Sequence, residues 1–280
     1  MLYCCAWLRV VIARLTAQSS ETRLVSRSLV MSNPIRGTRY ELGRSALRKR
    51  IAIAAVVLAV VLALPVVAQA QTLTAKYRGV TIEGVKTKKK VIALDFDDGP
   101  IDSGKIINIF STQGGTPTFF WVGSRITSGA AEYAVKHHAE INAHSWAHKD
   151  LTEMSYADKL SQINRVDARI AQFTGKRPLW FRAPYNAVNG SLLNLLASTQ
   201  HLYAHQYLMT RDYDPSVSPA ALVKIFNRPQ PGAIYLFHEG CNSSLKALPT
   251  ILKNLRKNGW KVVTNTQLLS YGAPVHKLGK

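Results

Sequence analysis

Lys88-Lys89-Lys90-Val91-Ile92-Ala93-Leu94-Asp95-Phe96-Asp97-Asp98-Gly99-Pro100 decides the fold class. Val91–Phe96 is a short, mostly apolar run, bounded by three lysines on one side and a Gly-Pro turn on the other, which reads as a buried strand. Carboxylates stand where that strand ends. Asp97 and Asp98 are adjacent, so in extended backbone they point different ways and suit different tasks. Asp-Gly-Pro is also ordinary turn chemistry, so this stretch alone leaves a solvated turn open.

Working outward, further strand candidates are Thr118–Val122, Glu140–Ala143, Leu179–Arg182, Tyr203–Leu208, Ala233–Phe237 and Lys261–Thr264. Helical patterns separate them. Ser155 opens one as N-cap, with Asp158 as a capping-box-like partner. Leu160, Ile163, Val166, Ile170 and Phe173 mark its apolar face, and Gly175 ends it. Ser218-Pro219 opens another, and Leu245–Leu255 forms a third. Alternating β and α elements predict an α/β fold with a parallel sheet, and about seven strands suit a distorted (β/α) barrel. In such a fold the C-terminal ends of the strands converge on one face, where sites are built.

Ahead of this domain, residues 1–50 carry ten Lys/Arg against two Asp/Glu. Residues 1–30 show no periodicity, and Met31 is the more usual start for a compact basic region. Ile51–Ala68 is apolar, preceded by Arg44, Arg48, Lys49 and Arg50 and followed by Ala70 in an A-x-A pattern. Residues 51–70 therefore read as a signal sequence or as a membrane anchor, and both place the rest outside the cytoplasm: secreted, wall-associated or membrane-held. Residues 71–87 read as a linker, 88–270 as the catalytic domain and 271–280 as a basic tail. Past residue 70 the chain is still +12, a field that favours polyanions. Cys4 and Cys5 lie in the leader and Cys241 stands alone in the domain, so no disulfide framework or cysteine zinc site is implied.

Five polar clusters fall at candidate strand ends. The first is Asp97-Asp98. His144-Ser145-Trp146-Ala147-His148 follows, whose i, i+4 histidines are expected to share one face of a helical turn, a common metal-ligand spacing. Arg182-Ala183-Pro184-Tyr185-Asn186, Asp212-Tyr213 and Leu236-Phe237-His238 complete the set. His201 and His205 repeat the i, i+4 spacing but have no acidic cluster nearby in sequence, and read as structural. One carboxylate and two imidazoles make a three-ligand site that leaves positions for water and substrate.

The constellation resembles carbohydrate esterase family 4, the NodB-homology polysaccharide deacetylases, over about residues 88–270. The resemblance implies a distorted (β/α) barrel of the NodB type. Asp97 would be the catalytic base and Asp98, His144 and His148 the ligands of a divalent metal, zinc before cobalt, nickel or iron. Arg182 would orient Asp97, and the Tyr185 backbone N–H would hold the oxyanion. Asp212 would pair with His238, the general acid, and Leu236 would line the acetyl pocket. Tyr213 stands where the family usually has Trp, Met209 where it has a further Asp, and Asp95 where it has Thr. Ala183 and Asn186 replace a common Pro and Gly. Asp95, two residues from Asp97, faces the same side of an extended strand and either adds charge to the site or bonds a neighbouring backbone group, the second being the expectation. The function implied is removal of N-acetyl groups from an extracytoplasmic polysaccharide, with peptidoglycan N-acetylglucosamine ahead of a chitin-like polymer or an O-acetylated xylan. A basic cell-wall-binding protein is the non-enzymatic alternative. No nucleic-acid partner is expected, since the aromatic–basic platforms of single-strand binders are not evident. A membrane partner follows from the anchor reading of residues 51–70.

Overall fold

A computed structural model describes residues 76–276 other than Arg78. The leader, including the signal or anchor segment 51–70, and the end of the tail lie outside the described residues. The strands are β1 (Thr81–Ile82), β2 (Gly84–Val85), β3 (Val91–Gly99), β4 (Thr118–Trp121), β5 (Glu140–Ala143), β6 (Trp180–Phe181), β7 (Leu202–Ala204), β8 (Leu208–Met209), β9 (Ile234–His238), β10 (Lys261–Val262) and β11 (Pro274–Val275). Between them run α1 (Ser103–Gln113), α2 (Ser128–Lys136), α3 (Tyr156–Thr174), α4 (Gly190–Ser198), α5 (Pro219–Ile225), α6 (Asn242–Lys257) and α7 (Asn265–Leu268). Among the described residues, no helix is long and apolar enough to cross a membrane.

The main sheet runs β1-β7-β6-β5-β4-β3-β9-β8, with β10 added on β3, and every pairing in it is parallel. It cannot be flat. β6 lies three strand spacings from β3, each about 4.8 Å, yet Arg182, just past β6, reaches Asp95 and Asp97 on β3 at 2.6 and 2.7 Å. The sheet is curled into an open barrel, its first and last strands unpaired with each other.

The period of two along β3 separates the layers. Leu94 and Phe96 face outward into the helix layer, where Phe96 meets Phe110 of α1 edge-on at 6.0 Å and stacks on Phe237 at 5.5 Å. Ala93 packs inward with Ile234 and Val85. Asp95 and Asp97 share that inner face, in register with Leu236 and His238 of β9. Helix starts follow their caps: Ser155 Oγ accepts from Asp158 N, Gly175 takes the left-handed conformation after α3, and Ser218 caps α5 ahead of Pro219.

Some elements differ from the sequence expectation. The run Tyr203–Leu208 is two strands, β7 and β8. Residues 81–85, read as linker, supply β1 and β2, and Pro274–Val275, read as tail, pairs antiparallel with β2. Two-residue strands carry too little periodicity to stand out in sequence; backbone pairing with neighbours makes them strands.

Phe96→Ala should lower folding stability by about 3–5 kcal/mol in urea titrations, the usual cost of emptying a packed aromatic site. Tyr156→Ala, at a side chain 63% exposed, should stay within about 0.5 kcal/mol of the parent.

Candidate active site

All five clusters meet at the C-terminal ends of the strands. Asp97 and Asp98 stand just before Gly99, the last residue of β3, and Asp98 adopts φ 71°. The loop that follows is held by Glu239, a buried carboxylate overlooked in sequence. It accepts from Ile101 N at 2.7 Å, Asp102 N at 2.8 Å, Ser103 Oγ at 2.7 Å and Trp121 Nε1 at 2.9 Å. Burial pushes its carboxyl up, against the pull of those donors. A Cβ at Gly99 would lie 1.9 Å from Glu239 Oε1, so only glycine lets the turn approach this closely. Its sole sequence signal was adjacency to His238.

His144 follows β5 directly, and His148 comes back beside it through a loop, not the helical turn the spacing suggested. Ser145 (φ 61°) and His148 (φ 53°) are both left-handed, and Ser145 Oγ accepts from His148 N at 3.0 Å. The ring centroids lie 5.0 Å apart. His144 Nδ1 is 2.8 Å from the Arg182 carbonyl, which only a protonated Nδ1 can satisfy; Nε2 is thereby left bare toward the site. Asp98 Oδ1 stands 2.8 Å from His148 Nε2 and 3.4 Å from His144 Nε2. Burial alone would raise the Asp98 carboxyl, but the two imidazoles hold it well below the usual carboxylate range.

Asp97 and Asp95 share Arg182. The guanidinium is fully buried and stacks over Phe120, 4.2 Å from the ring centroid. Nη1 donates to Asp97 Oδ1 at 2.7 Å and Nη2 to Asp95 Oδ2 at 2.6 Å; Nε donates to Ala204 O at 3.2 Å and Nη2 also to His205 O at 3.3 Å. Burial opposes the arginine's charge, and the two carboxylates outweigh it and raise its pKa. The expectation that Asp95 bonds a neighbouring backbone group is not met; its carboxyl pairs with Arg182 and so adds charge beside Asp97. Its remaining contact is Asn265 Nδ2 at 2.9 Å, and among the described residues Oδ1 has no partner. Burial drives the Asp95 carboxyl up to about 7, against the pull of Arg182 and Asn265.

Across the mouth, Asp212 holds His238. Its Oδ1 is 2.8 Å from His238 Nδ1, and its Oδ2 accepts from His238 N at 2.9 Å and from Ser244 Oγ. Burial would lower the imidazole, but the Asp212 bond and the charges of Asp97, Asp212 and Asp98 raise it. Tyr213 meets His238 edge-on at 5.1 Å, and Tyr185 meets His148 at 4.8 Å; both rings are exposed. Tyr185 takes φ 60°, and among the described residues no carbonyl accepts its backbone N–H. Leu236 is fully buried on the inner face of β9. His201 and His205 stand outside this cluster. His201 Nε2 meets Asp167 at 3.0 Å, while His205 Nδ1 lies 3.6 Å from Glu83.

The raised Asp95 pKa carries a stability signature. The folded state binds a proton there that the unfolded chain releases near pH 4, so this group's contribution to stability falls as pH rises from about 4 to about 7. The stability of the parent relative to Asp95→Asn should decline across that window and level off above it, measured by urea unfolding at a series of pH values.

A family model described as polysaccharide deacetylase matches residues 84–204. Peptidoglycan-N-acetylmuramic acid deacetylase PdaC of Bacillus subtilis is 30% identical over 190 residues, covering 66% of this chain and 40% of PdaC. Its solved structure superposes with a TM-score of 0.60 over 67% of this chain and 93% of that one. Peptidoglycan-N-acetylglucosamine deacetylase PgdA of Listeria monocytogenes is 29% identical over 200 residues, 70% of this chain and 41% of PgdA. The chain thus spans about two fifths of the length of these curated relatives. The same fold occurs in a CE4 family pseudoenzyme from Bacillus anthracis, with a TM-score of 0.63 at 23% identity over 68% of this chain and 69% of that one. With five clusters gathered at one end of a curled parallel sheet, and with these matches, the chain belongs to the polysaccharide deacetylase family, carbohydrate esterase family 4.

Proposed function

We propose that this chain is a metal-dependent deacetylase that removes N-acetyl groups from N-acetylglucosamine units of peptidoglycan, outside the cytoplasm. Family membership alone does not carry activity, since the family includes a protein described as a pseudoenzyme. One observation carries the proposal: the trio Asp98, His144 and His148 converges beside Asp97, whose Oδ2 is 3.9 Å from His144 Nε2, and Asp97 is the register partner of His238, an imidazole held by Asp212.

The trio fits a divalent cation. Asp98, His144 and His148 offer one ligand atom each, all within 4.8 Å of one another. Asp98 Oδ1 is buried and faces the Nε2 atoms of His148 and His144 at 2.8 and 3.4 Å, so the three candidate ligand atoms converge on one point. Two imidazoles and a carboxylate are the donor set of catalytic zinc. When bound, the ion would polarise the acetyl carbonyl and make a water molecule more acidic.

The chain's own residues do the rest. Asp97 is anchored through Oδ1 by Arg182, which leaves Oδ2 to take a proton from the attacking water. The Tyr185 N–H is a donor for the developing oxyanion. His238 gives its proton to the departing nitrogen, and Asp212 fixes its tautomer by accepting from Nδ1, so that the proton is delivered from Nε2. Leu236 presents an apolar wall on the same inner face. The buried Asp95–Arg182 pair keeps Asp97 in place without occupying its second oxygen.

Peptidoglycan is favoured over chitin and acetylxylan because two relatives are named for it and because residues 51–70 read as an export or anchoring segment. Acetate release from isolated wall, chitooligosaccharide and acetylxylan, with zinc and with chelator, tests this. Wall should be the best substrate and chelator should abolish turnover. His148→Ala should lose stoichiometric metal in equilibrium dialysis together with activity, and His201→Ala should keep both. Preference for acetylxylan, or metal retention by His148→Ala, would overturn the proposal.

The raised His238 pKa places the alkaline limb of kcat/KM above the ordinary imidazole range, because the acid must stay protonated. Asp212→Asn removes the bond and the charge that raise it, so the limb should move to lower pH and the rate loss should be larger at pH 8 than at pH 6. A limb that does not move would show that His238 is not the acid.

A further inference from the structure

A cluster of positive charge lies at the end of this domain opposite its catalytic mouth. In a parallel (β/α) sheet the helices return antiparallel to the strands, so helix C-termini and strand N-termini share the end opposite the site. At that end, residues 88–90 run into β3, while Arg256 and Lys257 close α6 ahead of Lys261, the first residue of β10. These pieces are joined: Lys90 Nζ donates to Asn258 O at 3.1 Å, Lys261 N donates to Lys90 O at 2.9 Å, and Arg256 Nη1 donates to Gln113 O at 2.8 Å. All six cations are exposed. No Asp or Glu occurs in residues 84–94 or 240–280, so nothing in either segment neutralises them. Half-buried Trp260 sits among them, beside a hollow of about 280 Å³ lined by Thr116, Leu252, Arg256, Trp260 and Lys261 with Gln267 at its edge. At the catalytic end the charges are mixed: Asp97 pairs with Arg182, Asp102 with Lys105 and Asp214 with Arg211, while Lys149 adjoins Asp150 in sequence and Lys246 follows two residues after Ser244, which donates to Asp212. The opposite end therefore holds a cluster of one sign and the mouth does not.

We infer that the basic end, Lys88–Lys90 with Arg256, Lys257 and Lys261, docks on an anionic phospholipid surface and so turns the catalytic mouth away from the membrane. Three observations select this occupant over a soluble polyanion. Clustered Lys/Arg with an interfacial Trp is the composition that binds anionic headgroups, each charge adding on the order of fivefold to partitioning. β1 is parallel to β7, so the chain enters the domain at this same end. The apolar run ends at Ala68 and Lys76 is the first described residue, so the intervening chain, however arranged, spans at most about 30 Å. Any bilayer that holds residues 51–68 lies within that reach of Lys76, where the described chain begins. The inference is independent of which polymer is deacetylated.

Lysine acylation of the full chain, read residue by residue by mass spectrometry, tests it without truncation. The arms are vesicles of phosphatidylcholine, vesicles of phosphatidylcholine with phosphatidylglycerol, and soluble polyphosphate at matched charge. Acylation of Lys88, Lys89, Lys257 and Lys261 should slow by about fivefold or more with phosphatidylglycerol only. Exposed Lys105, Lys149 and Lys246, at the catalytic end, should be unaffected, and added salt should reverse the protection. Replacing Lys88, Lys257 and Lys261 together by Gln should abolish the protection of Lys89. Equal protection by polyphosphate would assign the face to phosphate-bearing polymers instead, and protection of both ends, or of neither, would overturn the inference outright.

Discussion

The guanidinium of Arg182 is the constraint on which the site depends. It comes from just past a two-residue strand and is sealed under the ring of Phe120, where an unpaired charge would be prohibitively costly. It is stable there because two carboxylates from β3 and two carbonyls at the end of β7 meet it, and that requirement pulls β3 toward the β6–β7 pair three strands away. The curl of the sheet and the position of Asp97 are therefore one fact seen twice. The same residue's carbonyl accepts from His144, so one backbone position orients a metal-ligand candidate through its main chain and the base candidate through its side chain.

This arrangement explains how two buried carboxylates stay two residues apart. Asp95 has no access to water and one oxygen without a partner. A proton on Asp95 would leave Arg182's charge committed to Asp97, and loss of that proton would divide the charge between two anions. A threonine at this position, as in the resembled family, would offer Arg182 no charge. The chain thus carries a second carboxyl in the support of the base, and Asn265 on α7 donates to it from the far side.

The parts of the fold legible in sequence were those with long periodicity or strong punctuation. β3, β9, the capped helix after Ser155 and the polar clusters at strand ends all stood out, because a buried strand is an apolar run and a cap has its own residue types. What escaped notice was made by partners distant in sequence. β1, β2 and β11 are two residues each and exist through pairing. Glu239 reads as an ordinary residue after a histidine, and only the approach of residues 99–103 and Trp121 makes it a fourfold acceptor. The i, i+4 histidines illustrate the opposite hazard. The spacing suggested a helical turn, and the two rings do meet, but through left-handed Ser145 and His148. The spacing found the pair for the wrong geometric reason, and His201 with His205 shows that the same spacing need not bring two rings to one carboxylate, since the first meets Asp167 and the second Glu83.

The position of the basic cluster changes how the net charge of this domain is to be understood. Read from composition, +12 past residue 70 suggests attraction between the enzyme and an anionic wall. Placed on the fold, the lysines of residues 88–90 and the cations at the end of α6 stand at the end opposite the site, while charges of both signs are paired at the mouth. With a Debye length of about 8–10 Å, substrate at the mouth is largely screened from that cluster. A cluster so placed orients the molecule on an anionic surface more than it concentrates substrate at the site. The chemistry and the clustered positive charge are then kept apart because the fold puts them at opposite ends of its strands.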